Sequence, residues 1–438
     1  MKGADLPPQS VSTPVAGFRR IESLDVLRGV ALLGVLLLNI LAFGMASVGY
    51  YNPFVGLGNH PELNYAVWGG INLFFEGSMR ALFSLLFGAG IVMFTTGLGS
   101  KSGVEKSGWL HYRRTFFLLL FGIFDAYILL WKGDILMLYA VAGALLYPLR
   151  HAQPKNLVIL SVTILFCSSL LFITAGGVMM DARAAAEVVE SDPDGNYSQA
   201  FLDEATLWHE SENSFEYNET AVDKELDIRK GSYGEVAVYN AKGVNENLLF
   251  FAPVFMLWDV IGMMLLGMAM YRKGILSAKG SRMFYMRLTI GGFGVGLLVN
   301  GYELYQAIDS GFDAIVISGY FQGTYQVGRV SMAMGWLGLI MLLCQSQMFP
   351  SLRLRLSAVG RSALSNYLLH SLICMVLFTG AGFGLVGMFE RWELYLVVLA
   401  IWVVQLLVSP WWLNRYAFGP AEWLWRTMTY GTKQRWRV

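Results

Sequence analysis

The chain has 438 residues, 55% of them hydrophobic and 14% charged, with a formal net charge of +1 at pH 7. Soluble chains carry roughly 25% charged residues, so this composition excludes an ordinary cytosolic enzyme, a disordered protein and a nucleic-acid binder. A mean hydropathy of +0.50, with 13 Trp and 21 Tyr, suits a chain that crosses membrane interfaces many times, and the near-neutral balance proposes no polyanionic partner.

The first 20 residues are polar and Pro-rich, with no apolar core near Met1, which does not fit a cleaved signal peptide. A spanning helix needs about 20 mostly apolar residues. Such runs lie near 24–46, 71–98, 114–131, 134–150, 156–180, 248–271, 284–305, 316–345, 359–386 and 393–414. Every second connection is basic: Lys101, Lys106, Arg113 and Arg114, then Arg150 and Lys155, then Arg272 through Arg287, then Arg353, Arg355 and Arg361. The N-terminal tail has Lys2, Arg19 and Arg20, and the C-terminal tail Arg415 to Arg437. The positive-inside rule then predicts ten spans with both termini cytoplasmic. The expected fold class is an all-α polytopic transmembrane bundle. Its parts are a cytoplasmic tail (1–20), helices one to five (21–180), an acidic extracytoplasmic loop (181–247), helices six to ten (248–416) and an interfacial tail (417–438).

The 181–247 segment holds 16 Asp/Glu against 5 Lys/Arg, a net of −11. It is too short and too poor in apolar residues for an independent catalytic domain, and reads as a cap over the outer mouth, with a helix around Tyr197–Glu210. Cys167, Cys344 and Cys374 lie in apolar runs and form no disulfide framework. The five histidines are scattered singly, and no zinc-spaced set or phosphate-binding Gly loop occurs, so no metal is expected.

Ionisable groups inside spans are costly and mark partners or cavities. Ser23 is placed to cap the first span, with Asp25 in its first turn and Arg28 three residues on, on the same face. Either this is a self-satisfied cap or Arg28 binds an anionic group from the cytosol. In the second span Glu76 and Arg80 are four apart, in the favourable order for a helical pair, and either glue helices or line a polar cavity. Gly88-Ala89-Gly90 beyond them permits close helix approach.

Asp125 lies about two turns below a polar apex, Trp131-Lys132-Gly133-Asp134. A carboxylate there is protonated or paired, with Lys132 as one candidate partner. Asp134 reads as a helix N-cap or as a general base. Ser362, Asn366 and His370 form a polar stripe at a spacing of four. His370 sits near mid-membrane and reads either as a packing residue or as a proton-transfer group. His60, in an outer loop, is a further base near the outer ends of Glu76 and Asp134. Asp259, Glu303 and Arg329 are also embedded, on faces that sequence does not assign.

The chain resembles the YeiB-like family of bacterial inner-membrane proteins. The stretches that carry the resemblance are Leu24-Asp25-Val26-Leu27-Arg28-Gly29, Arg80-Ala81-Leu82-Phe83-Ser84, Trp131-Lys132-Gly133-Asp134, and Gly360-Arg361 through Asn366-Tyr367 with Gly419-Pro420-Ala421-Glu422-Trp423. The opening Asp-x-x-Arg-Gly helix is similar to that of membrane-embedded acyltransferases such as heparan-glucosaminide acetyltransferase. That similarity implies acyl transfer from cytosolic acyl-CoA to a lipid-linked or glycan acceptor on the outer side. Arg28 and Arg361, with Asp25, would hold the CoA phosphates, and Asp134, Asp125 or His370 would be the base. Glu76, Arg80, Lys132, Asn366 and His60 would line the substrate cavity.

Many relatives have His where this chain has Asp125 and Gln where it has His370. Asp125 takes the role of that His, or His370 does, or neither position is catalytic. The alternatives to acyl transfer are a transporter or lipid-handling protein without chemistry, and a non-catalytic scaffold or sensor. Membrane lipids are the expected partners. Trp423 and Trp425 beside Arg426 read as an interfacial anchor or as support for a homodimer contact.

Overall fold

The computed structural model describes residues 21–438 apart from 51, 56–57, 103, 216–217, 314 and 317–321. The tail 1–20, with Lys2, Arg19 and Arg20, and the start of the run expected at 316–345 lie outside the described residues. The described residues are all-helical, with no strand.

The first helix, α1 (Glu22–Gly44), is central and almost entirely buried. Ser23 does not cap it: the N-cap is Ile21, and Ser23 Oγ donates to the Leu276 carbonyl at 2.8 Å. Next come α2 (Pro61–Phe75) and α3 (Ser78–Ser102), together one apolar stretch broken at Glu76-Gly77. Gly77 has φ +62°, and a Cβ there would strike the Tyr325 hydroxyl and Arg329, so only glycine fits. Carbonyls freed by the break are met locally: Asn300 donates to Leu73, Trp336 to Phe74 and Ser78 Oγ to Phe75, each at 3.0 Å. Irregular backbone inside a membrane requires such replacement donors.

A hairpin follows, α4 (Val104–Tyr127) and α5 (Leu136–Leu146). Then α6 (Pro154–Ser191) runs 38 residues, roughly 57 Å at 1.5 Å per residue, longer than a hydrocarbon core of about 30 Å. Its far end carries the acidic insert, α7 (Gln199–Phe215), α8 (Glu219–Lys230) and α9 (Tyr233–Glu246). The helix expected at 197–210 is α7. Through a π-helical stretch, α9 continues into α10 (Leu257–Arg272). The remaining helices are α11 (Arg282–Asp309), α12 (Gln322–Gln345), α13 (Pro350–Arg361), α14 (Ala363–Phe378), α15 (Arg391–Leu413) and α16 (Pro420–Tyr430).

Among the described residues, seven stretches are long and apolar enough to cross a membrane, and α13 with α14, bent by 80°, makes an eighth if counted as one span. The hairpin expected as spans three and four does not qualify. Its second arm, α5, has 11 residues, and α4 carries Arg113, Arg114 and Asp125. Large apolar side chains such as Phe166, Leu298 and Val403 stay more than half exposed. Patches of that kind need lipid rather than water as solvent. The helices fit a multi-pass membrane protein. At the crossing of α3 and α10, a Cβ on Gly88 would enter the Met264 carbonyl, so that glycine sets the close approach; Gly90 faces open space.

The insert docks on the C-terminal end of α1. Arg229 of α8 is buried and donates from Nη1 to Met45 O (2.6 Å) and from Nη2 to Phe43 O (2.5 Å) and Ala42 O (3.1 Å). These are among the carbonyls a helix terminus leaves unpaired, and a cation there also suits the helix dipole. Glu225 accepts from Ser47 N–H and Oγ. Arg229→Ala therefore should free the insert: hydrogen exchange across 219–246 rises by at least tenfold. Unchanged protection would refute this docking.

Candidate functional site

Five polar assemblies hold the candidate residues singled out by sequence. At the N-terminal end of α1, Arg28 Nη1 pairs with Asp25 Oδ1 at 3.3 Å and donates to Gly360 O at 3.4 Å. This puts Arg28 beside Arg361, the last residue of α13. Arg114 of α4 lies within electrostatic reach of Arg28 and Arg426. Its guanidinium stacks between Phe94 (4.7 Å) and Trp425 (4.6 Å). Arginines from α1, α4, α13 and α16 thus collect at one end of the bundle.

At the opposite end, near the insert, Asp125 of α4 and Asp134 of the α4–α5 connection face each other. Asp134 Oδ2 accepts from Met137 N–H at 2.9 Å, one residue outside the formal cap position, so it does cap α5. Its Oδ1 accepts from the Tyr367 hydroxyl at 3.5 Å, and Tyr367 in turn accepts from Trp131 Nε1 (3.2 Å) and Ile135 N–H (3.3 Å). Asp125 is 0% exposed and, among the described residues, neither carboxylate oxygen makes a hydrogen bond of good geometry; its polar neighbours are Asp134 and Ser371. Lys132 is not its partner: Lys132 Nζ donates to Ser47 Oγ at 2.5 Å and faces Glu225 of the insert.

In the middle of the bundle the helical Glu76–Arg80 pair does not form as expected, because the chain breaks between them. Instead both meet on Tyr325 of α12: its hydroxyl donates to Glu76 Oε1 (3.1 Å) and accepts from Arg80 Nη2 (3.2 Å). Tyr50 adds a bond to Glu76 at 3.4 Å. Arg80 lies 3.7 Å from Asp259 of α10, and Asp259 is bonded to Arg329, which also bonds Gln326. Two cations and two acids from four segments make a charge-balanced core.

His370 and Asn366 are separate from the aspartates. They sit on the face of α14 toward α15, where His370 Nε2 bonds Gln405 Oε1 (3.0 Å) and Asn366 bonds Ser409 (3.1 Å) and Ser362 (3.1 Å). Tyr367 and Ser371, one residue on, face the aspartate pair.

His60 lies beside neither Glu76 nor Asp134. It is half exposed, and its Nδ1 is 3.1 Å from Glu390. The Glu390 carboxylate also accepts from Asn59 N–H (2.7 Å), Asn64 Nδ2 (3.0 Å) and Trp392 Nε1 (3.1 Å). These donors, the Asn59 amide first, hold its pKa at about 2, below the ordinary 4.5. A depressed carboxyl stabilises the fold above its unfolded value and loses that contribution as pH falls from 4.5 toward 2. The melting midpoint of the wild type should thus drop more steeply over that interval than that of Glu390→Gln; parallel curves would remove Glu390 from the account.

Sequence reasoning missed Tyr325 and Tyr367, which join these assemblies. An aromatic in an apolar run gives no sign of its hydroxyl. It also missed Arg391, which follows Glu390 in a run that reads as solvated charge yet is 0% exposed.

The family model that matches, described as "Protein of unknown function (DUF418)", covers residues 270–432. The chain is 30% identical over 413 residues to "Uncharacterized protein YeiB" of Escherichia coli (strain K12), covering 94% of this chain and 96% of that one. It is 27% identical to "Uncharacterized protein YxaH" of Bacillus subtilis (strain 168), covering 95% and 96%. It is also 27% identical to the "Uncharacterized 39.9 kDa protein in amylase 3'region" of Bacillus acidopullulyticus, covering 96% of each chain. No solved structure matches.

Proposed function

This chain belongs to the YeiB-like family, and on that premise we propose a multi-pass protein of the bacterial inner membrane, both termini cytoplasmic, that transfers an acyl group from cytosolic acyl-CoA to an outer hydroxyl or amine. The observation that carries the reading is the Asp125–Asp134 pair: two buried carboxyls facing each other beside Tyr367 and Ser371, one of them without a hydrogen bond of good geometry among the described residues. Buried, unsatisfied acids have a stability cost that proton-transfer sites accept.

In this reading Asp134 is the base. It takes the proton of the acceptor hydroxyl while that oxygen's lone pair forms the new bond to the thioester carbonyl carbon. The C–S bond then breaks, its electron pair leaves with the CoA sulfur, and the proton passes to the thiolate. Asp125 positions Asp134, and Tyr367 holds it through its hydroxyl. Arg28, Arg361 and Arg114 receive the CoA phosphates. The insert covers the acceptor side through its Arg229 dock. His370, engaged by Gln405, is a support for α14 here rather than the base.

The test is thermal stabilisation of the detergent-solubilised protein. A ligand that binds only the folded state raises the melting point by mass action. Acetyl-CoA or a longer acyl-CoA should give a saturable upward shift that is lost in Arg28→Ala. No shift at millimolar concentration for any acyl length would sink the reading. A lipid-handling role without chemistry is the second reading, favoured by an apolar groove between α1, α2 and α15.

A further inference from the structure

The insert reaches the aspartate site through a different helix from the one that docks it. While α8 holds the end of α1, α9 meets the end of α4, the helix that carries Asp125. The Tyr127 hydroxyl donates to Asn245 Oδ1 at 2.6 Å, and the Tyr233 hydroxyl donates to Ile128 O at 3.0 Å. Between them Asn240, 6% exposed, donates from Nδ2 to Ala126 O at 2.7 Å. Ala126 directly follows Asp125 and is 0% exposed, so water does not replace this donor once it is removed.

Asn240 and Val244 are four residues apart and share a face of α9. Val244 packs in one apolar cluster with Ala126 and Met137. Met137 supplies the backbone N–H that Asp134 accepts at 2.9 Å. One face of α9 therefore holds the residue beside Asp125 and the residue that binds Asp134.

Two features of the α4–α5 hairpin call for such an outside hold. Gly122, one turn before Asp125, leaves α4 bare toward α5: a Cβ there would lie 2.7 Å from both Asp134 Oδ2 and Met137 N. The close approach thus has no side chain at that level to set its spacing. The connection also contains Leu130 in the left-handed region, at φ +59°, which a non-glycine residue keeps only where its surroundings impose it.

We propose that α9 is the positioning element of the aspartate pair and that Asn240 is its positioning residue. The bond to Ala126 O fixes the last turn of α4, and Val244 fixes Met137, so Asp125 and Asp134 face each other at one separation. Asn240 bonds neither carboxylate and acts through the backbone. The proposal rests on the pair being the reacting centre, and it gives the insert a part in the chemistry beyond covering the acceptor side.

Tyr233→Phe is the control. It removes a bond between the same two segments, but Ile128 is 50% exposed, so water takes the place of the hydroxyl. Two carboxyls facing each other in apolar surroundings hold a proton between them, because like charges so close do not both ionise. The readout is the carbonyl stretch of that protonated carboxyl in infrared spectra of the purified full-length protein, assigned by its change in Asp125→Asn.

Asn240→Leu, similar in size but without a donor, and Val244→Ala should each displace the band, and Tyr233→Phe should leave it in place. In acyl transfer Asn240→Leu should lower kcat by about 10²-fold, the cost of a misplaced reacting group, with the KM for acetyl-CoA unchanged. An unmoved band in both Asn240→Leu and Val244→Ala overturns the proposal, as does a wild type without the band. Equal displacement in Tyr233→Phe also overturns it, by assigning the effect to docking of the insert as a whole. If Asn240→Leu does not fold, Val244→Ala against Tyr233→Phe decides. A wild type that transfers no acyl group sinks the proposed function, and the infrared comparison still tests the positioning.

Discussion

Replacing Asp259 with alanine is expected to destabilise the protein by about 3–5 kcal/mol, the cost of leaving a buried arginine without its counter-charge. Arg329 is 1% exposed, and its Nε and Nη1 already lack acceptors. Its Nη2 is shared between Asp259 and Gln326, so without Asp259 its buried charge keeps Gln326 but loses the carboxylate bonded to it. Arg80, 3.7 Å from the same carboxylate, loses support as well. The double variant Asp259→Leu with Arg329→Met should recover most of the loss, because removing both charges also removes both desolvation costs. Denaturant titration of the purified protein gives the comparison. A single variant as stable as the wild type would mean that water or another group solvates Arg329.

The second large effect concerns chemistry. Asp134→Asn should lower acyl transfer by about 10²–10⁴-fold, the usual contribution of a positioned base. The fold should survive, since an asparagine oxygen still accepts the Met137 N–H that Asp134 now holds at 2.9 Å. His370→Gln should change the rate only a few-fold, because its Nε2 is already committed to Gln405 on α15. Transfer from radiolabelled acetyl-CoA in sealed membrane vesicles is the readout. Wild-type transfer that persists in Asp134→Asn but vanishes in His370→Gln would reverse the two roles.

The two ends of the bundle differ in how far sequence reached them. The Asp25–Arg28 pair follows from a spacing of three on one helix and forms as expected. Asp134 as a cap follows from its position at the start of an apolar run. Both are local facts, set by helix geometry within one turn. Glu76 with Arg80 looked equally local, and failed because Gly77 turns the chain into the left-handed region. Only glycine fits there, because Tyr325, 248 residues further on, occupies the space a Cβ would need. Lys132 likewise went to Ser47 and Glu225 rather than Asp125, since the insert that supplies Glu225 folds back onto the same end of the bundle.

The sequence by itself determined the medium and the class: apolar runs of span length, few charges and a single acidic insert require an all-helical bundle in lipid. These properties are sums over twenty residues or more, and no rotation of a helix alters them. Only the tertiary structure decided which embedded charge meets which. Asp259 and Arg329 are 70 residues apart, and their pairing depends on the rotation and crossing of α10 and α12. Glycine contacts and side-chain packing, such as Gly88 against Met264, fix those angles. A charge at membrane depth must find some partner, but its identity is a property of helix packing.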